Sequence, residues 1–153
     1  MAAGSTKGDG RGARGRLGEV AAQALLERQG YVIVDVNVRF GKTRGLSGEI
    51  DIVAWDGPVL CFVEVKTRRA GRSSLVAPAE AVTPAKQRQI ARLALAYANR
   101  HGLLSDDGLD EIGVALRFDV VAVVLDRDDD TLLRRADLIR GAFLAPDDIG
   151  DAS

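Results

Sequence analysis

The chain has little cysteine and few aromatic residues, and each shortage excludes a class of protein. A single cysteine, Cys61, excludes an intrachain disulfide and argues against a zinc cluster. Aromatic residues make up 5% of the chain, so its core must be built mainly from Val, Leu, Ile and Ala. No apolar run approaches the roughly 20 residues that span a bilayer. We therefore expect a cytoplasmic protein with no membrane partner.

The two ends of the chain lack the periodicity of folded segments. Residues 1–13 are rich in Gly and contain no apolar stretch of the kind that a secretory signal needs. We expect residues 1–13 to be a disordered tail, residues 14–145 to form a single α/β domain, and residues 146–153 to be a C-terminal tail. A chain of 153 residues is long enough for one such core.

The net charge of −1 conceals two parts of opposite sign. Residues 1–100 carry 16 Lys and Arg against 9 Asp and Glu, whereas residues 101–153 carry 5 against 13. A basic region of this size suits a polyanion such as nucleic acid, because phosphate neutralisation supplies most nonspecific affinity. The alternative, that these charges only cover solvated faces, is equally open at this point.

Hydrophobic periodicity predicts two helices and a mixed sheet. Helical spacing of apolar residues predicts helices over 14–29 and 84–100, the second with a stripe formed by Val82, Ile90, Leu93 and Tyr97. Runs rich in Val and Ile predict strands over 31–40, 49–55, 59–67, 115–125 and within 131–143. The order α-β-β-β-α-β indicates an α/β fold with a mixed central sheet flanked by helices.

The strands before and after residues 56–58 are predicted to form a tight hairpin. With Asp56 and Gly57 as a two-residue loop, the facing pairs are Val53–Leu60, Asp51–Phe62 and Glu49–Glu64. Faces alternate along a strand, so one face is wholly apolar and the other carries, at its open end, Glu49, Asp51, Glu64 and Lys66. A register shift by an odd number of residues would bury the acids and is therefore disfavoured.

Three carboxylates and one ammonium in a single layer of side chains predict a metal site. Like charges this close cost free energy unless a cation lies among them. Lys66 offsets one charge, and oxygen ligands favour Mg²⁺, with Mn²⁺ as a substitute. A metal-held water beside a lysine is suited to hydrolysing a phosphodiester. The competing interpretation is a solvated sheet face with surface salt bridges.

The hairpin sequence GEIDIVAWDGPVLCFVEVKTR resembles the signature of the YraN-like proteins, uncharacterised protein family 0102, which are regarded as predicted endonucleases. The resemblance extends over residues 14–143 and includes GxxGE at 15–19, NxR at 37–39 and RFDVV at 117–121. It implies a restriction-endonuclease-like core of the PD-(D/E)xK superfamily, similar to archaeal Holliday-junction resolvases.

The resemblance also implies a role for individual residues. Asp51 matches the first Asp of the superfamily motif, and Glu64 with Lys66 matches its ExK, so these three are the expected catalytic residues. The metal ligands would be Asp51, Glu64, the backbone carbonyl of Val65, and Glu19. The Pro that usually precedes the first Asp is absent, and Ile50 stands there. The implied function is Mg²⁺-dependent endonuclease cleavage of DNA, either branched or damaged, in repair or recombination.

Several charged residues near the hairpin have two interpretations. Glu19, expected in the first turn of a helix, either stabilises the helix dipole or reaches the metal. Glu49 is either a further metal acid or an ion-pair partner of Arg39. Lys86 either extends to water or points at the acids as a phosphate contact. The expected nucleic-acid contacts are Arg39, Lys42, Arg44, Arg68, Arg69 and Lys86.

Two other functions compete with DNA cleavage. A nucleic-acid-binding or scaffold protein could keep the fold and the acids without turnover. A phosphodiesterase for small nucleotides would use the same chemistry, but the basic loops 41–48 and 68–74 favour a long polyanion. The sequence leaves a homodimer as an open alternative.

Overall fold

The computed structural model describes residues 12–40, 46–71, 82–103 and 113–145. Within these ranges the chain forms, in order, α1 (Ala13–Arg28), β1 (Val32–Arg39), β2 (Glu49–Asp56), β3 (Val59–Arg69), α2 (Pro84–Arg100), β4 (Ala115–Leu125) and β5 (Leu133–Phe143). The expected tail at 146–153 and nearly all of the expected tail at 1–13 lie outside the described residues.

The strands form one five-stranded sheet in the order β1-β2-β3-β4-β5. Neighbouring strands are antiparallel except β3 and β4, which are parallel and are joined through α2. A parallel pair needs such a crossover, because a short turn can only reverse the chain. The predicted mixed α/β fold and its α-β-β-β-α-β order are therefore confirmed, with β5 added at the edge beside β4.

The sheet separates two apolar cores. One core lies between the sheet and α2, and the predicted stripe of α2 is buried in it. The other lies under α1 and contains Ala22 and Leu26 together with Ile52, Val63 and Val121. Each helix therefore covers one face of the sheet.

Helix α1 is held against β3 by a contact that only glycine permits. A Cβ built on Gly18 would lie 2.0 Å from the Thr67 Oγ1 atom. At the other end of the helix, Gly30 adopts φ +91° and closes the last turn through its N–H bond to the Glu27 carbonyl. These two glycines fix where α1 lies and where it ends.

A buried polar network lies under α1 at the hairpin-turn end of the sheet. Asp119 is fully buried and receives hydrogen bonds from Arg117 Nε at 2.8 Å and from the Tyr31 hydroxyl at 2.7 Å. Burial by itself would raise the pKa of Asp119, but these bonds and one from the Gly141 N–H outweigh burial and lower it. Arg117 and Asp119, two residues apart on β4, therefore form an internal ion pair.

The predicted hairpin register was wrong by two residues. Asp56 pairs with Val59, so the loop consists of Gly57 and Pro58. Gly57 supplies a φ of +58°, and the fixed negative φ of Pro58 suits the second loop position of such a turn. Because the shift is even, the residues inside the ladder keep the faces predicted for them, with Val53 and Phe62 on the α2 side and Ile52 and Val63 on the α1 side. The expected pair Glu49–Glu64 does not form.

One residue of the hairpin lies in a different core from the one predicted. Ile50 belongs to the core under α2, although Ile52, two residues later, belongs to the core under α1. The regular alternation of faces is therefore interrupted at Asp51.

Within the described residues, no helix is both long and apolar enough to cross a bilayer.

The Gly18 contact predicts that Gly18→Ala lowers the free energy of unfolding by about 1–2 kcal/mol, because overpacking outweighs the better helix propensity of Ala. Urea unfolding of Gly18→Ala, Thr67→Ala and the double variant measures this effect. The double variant should recover part of the loss, since Thr67→Ala removes the nearest atom. A Gly18→Ala protein more stable than the parent would contradict the packing argument.

Candidate metal centre

The hydrogen-bonded ladder between β2 and β3 ends before the two strands do. Its last pair is Ile52–Val63, although both strands continue beyond it. Where they part, the Asp51 carboxylate accepts a hydrogen bond from the Val65 N–H at 2.8 Å. In a regular ladder the Val65 N–H would bind a backbone carbonyl of β2. Here it binds the Asp51 side chain instead, and a gap opens between the two strands.

Carboxylates from three elements, α1, β2 and β3, meet at this gap. Carboxylate oxygens of Glu19 on α1 and of Glu49 and Asp51 on β2 all lie within 4.8 Å of one another. Glu64 follows buried Phe62 by two residues on β3, and its carboxyl group interacts with that of Asp51 through both charge and hydrogen bonding. We call Glu19, Glu49, Asp51 and Glu64 the acid cluster. Asp51 is the member that lies close to Glu19 and Glu49 and also interacts with Glu64.

Glu19 does not lie where the sequence predicted. The helix begins at Ala13 and its first turn contains no acidic residue, so Glu19 is in the second turn. The helix dipole acts mainly within the first turn, so dipole stabilisation is a weak reason for an acid at this position. The contact of Gly18 with β3 instead brings the next residue, Glu19, to the gap.

Glu64 is the buried member of the acid cluster, with 8% of its surface exposed. Burial raises the pKa of Glu64 to about 7, and the nearby charge of Asp51 adds to the rise. The positive charges of Lys86 and Lys66 act in the opposite direction. The Lys66 Nζ atom lies 3.6 Å from Glu64 Oε1. The charge of Lys86 therefore acts on Glu64, and its role as a phosphate contact stays a prediction.

Glu49 forms the ion pair with Arg39 that is one of its two predicted roles, and it also lies in the acid cluster. Its Oε2 atom accepts a hydrogen bond from Arg39 Nε at 3.1 Å. The same side chain lies in the cluster with Glu19 and Asp51. Arg39, on the edge strand β1, therefore places a positive charge directly beside three carboxylates.

A cleft of about 540 Å³ opens onto the acid cluster from the α1 side of the sheet. The first turn of α1 forms one wall, and the other is formed by alternate residues of β3, namely Val65, Thr67 and Arg69. Asp130, in the turn between β4 and β5, closes the end and binds Arg69 with an Nη2–Oδ2 distance of 2.7 Å. The cleft therefore has acids at its base and cations on its rim.

The expected nucleic-acid contacts are only partly within the described residues. Arg39 and Arg69 lie near the acid cluster, each held in an ion pair with an acid. Arg68 is half-buried on β3. Lys42 and Arg44 lie outside the described residues, so their predicted role has no structural counterpart here.

Sequence reasoning missed three residues that line the cleft: Arg14, Thr67 and Asp130. Thr67 could have been found, because it continues the alternation from Val65 on a strand already predicted. Arg14 begins the predicted helix, one turn before Glu19. Asp130 had no local signal, since it lies 61 residues from its partner Arg69 and is brought to it by the β3–β4 pairing.

Comparisons with known proteins agree on one family. A sequence model of uncharacterised protein family UPF0102 matches residues 18–123. The chain belongs to family UPF0102. It is 42% identical over 137 residues to a UPF0102 protein of Chlorobaculum parvum, covering 88% of this chain and 94% of that relative. A UPF0102 protein of Geobacter sulfurreducens is 49% identical over 111 residues, covering 72% of this chain and 75% of that relative.

The acid cluster of this UPF0102 chain fits a divalent cation. Asp51, Glu19 and Glu64 supply the carboxylate oxygens that Mg²⁺ and Mn²⁺ prefer. The N–H and C=O of one strand residue point toward the same neighbour, so the Val65 carbonyl faces the Asp51 side as its N–H does. Burial first, and the charge of Asp51 second, raise the pKa of Glu64, and a cation beside it would favour the charged carboxylate.

The raised pKa of Glu64 predicts that the stability of the metal-free protein, kept in buffer with a metal chelator, depends on pH in an unusual way. Its pKa is near 4.5 in the unfolded chain and about 7 in the folded one. Between these values the folded state binds the extra proton, so the free energy of unfolding falls as the pH rises through this interval. The expected loss is on the order of 3 kcal/mol, at about 1.4 kcal/mol per pH unit.

Urea unfolding gives the free energy of unfolding of the parent and of Glu64→Gln at several pH values between about 4.5 and 7.5. The loss is the difference between these two pH profiles. Glu27→Gln, which changes an exposed carboxyl group on α1, is the matched control and should follow the parent profile. Parallel profiles for the parent and Glu64→Gln would show that Glu64 titrates normally.

Proposed function

We propose that this UPF0102 protein is a metal-dependent endonuclease of the PD-(D/E)xK type, which hydrolyses phosphodiester bonds in DNA. The observation that carries the proposal is the meeting of Glu19 and Asp51 with Glu64 and Lys66 at the gap between β2 and β3. Carboxylates that can hold a divalent cation, next to a lysine, suit the hydrolysis of a phosphodiester. It also agrees with the role that the sequence motif implies for each residue.

The proposed chemistry assigns a role to each side chain. Asp51, Glu64 and Glu19, with the Val65 carbonyl, would hold Mg²⁺ or Mn²⁺, which lowers the pKa of water and polarises the phosphate. Lys66, next to Glu64, is placed to orient the attacking water or to stabilise charge that develops on the phosphate. Asp51 is fixed by its bond from the Val65 N–H, so its carboxylate needs little reorganisation on binding.

A polymeric substrate is supported by the surroundings of the acid cluster. The cleft is open and its rim carries Arg14 and Arg69, while Lys86 and Arg39 approach the acids from other elements. Cations placed around a cleft attract a phosphate backbone and steer it to the acids. We therefore favour DNA, branched or damaged, over small nucleotides, and a role in repair or recombination. A cytoplasmic setting and a homodimer remain predictions of the sequence.

Incubation of the protein with Mg²⁺ or Mn²⁺ and labelled linear, flapped and four-way DNA tests the proposal. Lys66→Ala and Asp51→Ala should each lower the cleavage rate at least about a hundredfold, because each removes a group that acts on the reacting phosphate or its metal. Glu27→Ala, which removes an exposed carboxylate about 12 Å along α1 from Glu19, should cleave like the parent.

Cleavage that persists equally in Lys66→Ala and Asp51→Ala would come from a contaminant and would remove the basis of the proposal. DNA binding by the parent without cleavage of any of the substrates would favour the scaffold alternative.

A further inference from the structure

A second pocket lies on the α2 side of the sheet, opposite the cleft under α1. It has a volume of about 360 Å³, within the range of small-molecule sites. Its walls are the segment at Leu46 and Ser47 and one face of α2 with Lys86, Gln89 and Arg92. Lys86 connects it to the acid cluster, because the Lys86 charge acts on Glu64.

The wall opposite α2 is held in place by Gln89. The Nε2 atom of Gln89 donates a hydrogen bond to the Ser47 carbonyl at 2.6 Å. Gly48 adopts φ +111°, and a Cβ there would lie 2.2 Å from Gln89 Nε2. The close approach of this backbone to Gln89 therefore requires glycine, and the pocket is formed before any ligand binds.

The pocket is basic and contains a donor without an acceptor. Lys86 and Arg92 are the charged side chains that line it among the described residues. The Arg92 Nε atom is buried and, in the part of the chain that the structure describes, finds no hydrogen-bond acceptor. A buried N–H without an acceptor costs free energy, so a ligand that supplies oxygen atoms would relieve that cost.

We infer that the α2-side pocket binds a backbone phosphate of the nucleic-acid strand, next to the phosphate that is cleaved at the acid cluster, through Arg92 and Lys86. The inference rests on the proposed function. Arg92 comes six positions after Lys86 on α2, a rise of about 9 Å along the helix, so Arg92 extends the binding surface away from the acids. Guanidinium and phosphate form bidentate charged hydrogen bonds, which suits Arg92 to this role.

Binding of a short fluorescein-labelled single strand, followed by anisotropy in Ca²⁺ over a range of salt concentrations, tests the inference. Arg92→Gln should weaken binding about tenfold and lower the slope of log affinity against log salt by about 0.7, the value of one phosphate contact. Arg92→Lys should keep the slope because it keeps the charge. Arg135→Gln, the same charge change at an exposed residue of β5, should stay within about twofold of the parent.

Cleavage and melting temperature of the same preparations separate the possible outcomes. If Arg92→Gln melts like the parent and binds with unchanged affinity and slope, the pocket is not a phosphate site, whether or not the parent cleaves DNA. If the parent binds the strand in an Arg92-dependent way but cleaves nothing, the phosphate site stands and the nuclease proposal fails. A parent protein that does not bind the strand at all overturns the inference as well.

Discussion

The candidate site depends on one hydrogen bond, from the Val65 N–H to the Asp51 carboxylate. An N–H of β3 that is satisfied by a side chain releases the β2 backbone from the ladder, so the two strands separate while both remain extended. Without this separation, the sheet would keep residues of its two faces apart. With it, Glu19 from α1 and Glu64 from β3 reach the same aspartate.

The hydrogen bond from Val65 to Asp51 also determines how the charges of the acid cluster are balanced. Asp51 brings a carboxylate next to Glu64, which burial already disfavours in its charged form. Lys66 and Lys86 offset part of this repulsion, and Arg39 offsets part of the charge on Glu49. The cations come from three elements, β1, β3 and α2, so the acids are close together only because the whole domain surrounds them. A divalent cation would add the positive charge that the side chains do not supply.

The sequence predicted the elements well because each has a strong local pattern. Helix α2 agrees with its predicted limits, and the even error in register left the paired residues Val53 and Phe62 on the face that alternation assigns to them. Asp51 lies beyond the last pair of the ladder and does not follow that alternation. The error itself arose at the turn, where two different two-residue loops were compatible with the same three residues. The fixed φ of Pro58 selected between them.

What the sequence could not predict depends on contacts between distant segments. The joint position of Glu49 with Glu19 and Asp51 requires the end of the β2–β3 ladder, which no periodicity marks. Asp130 reaches Arg69 only through the pairing of β3 with β4. The α2-side pocket forms because Gln89 binds the backbone carbonyl of Ser47, 42 residues away. Each of these features depends on residues that are far apart in the sequence, whereas a motif and the alternation of faces along a strand are local patterns.

The parallel pairing of β3 with β4 has a consequence for the order of folding. The β2–β3 hairpin closes a two-residue loop, whereas β3 and β4 must close a connection that contains all of α2, and such non-local pairings form slowly. In an early hairpin, Glu64 would still be in water and would ionise like any surface glutamate. Its unusual electrostatics arise only when β4 and α2 join. The chain can therefore assemble its acidic strands while their charges are screened, and it meets the repulsion between them late, when α2 brings Lys86 as well.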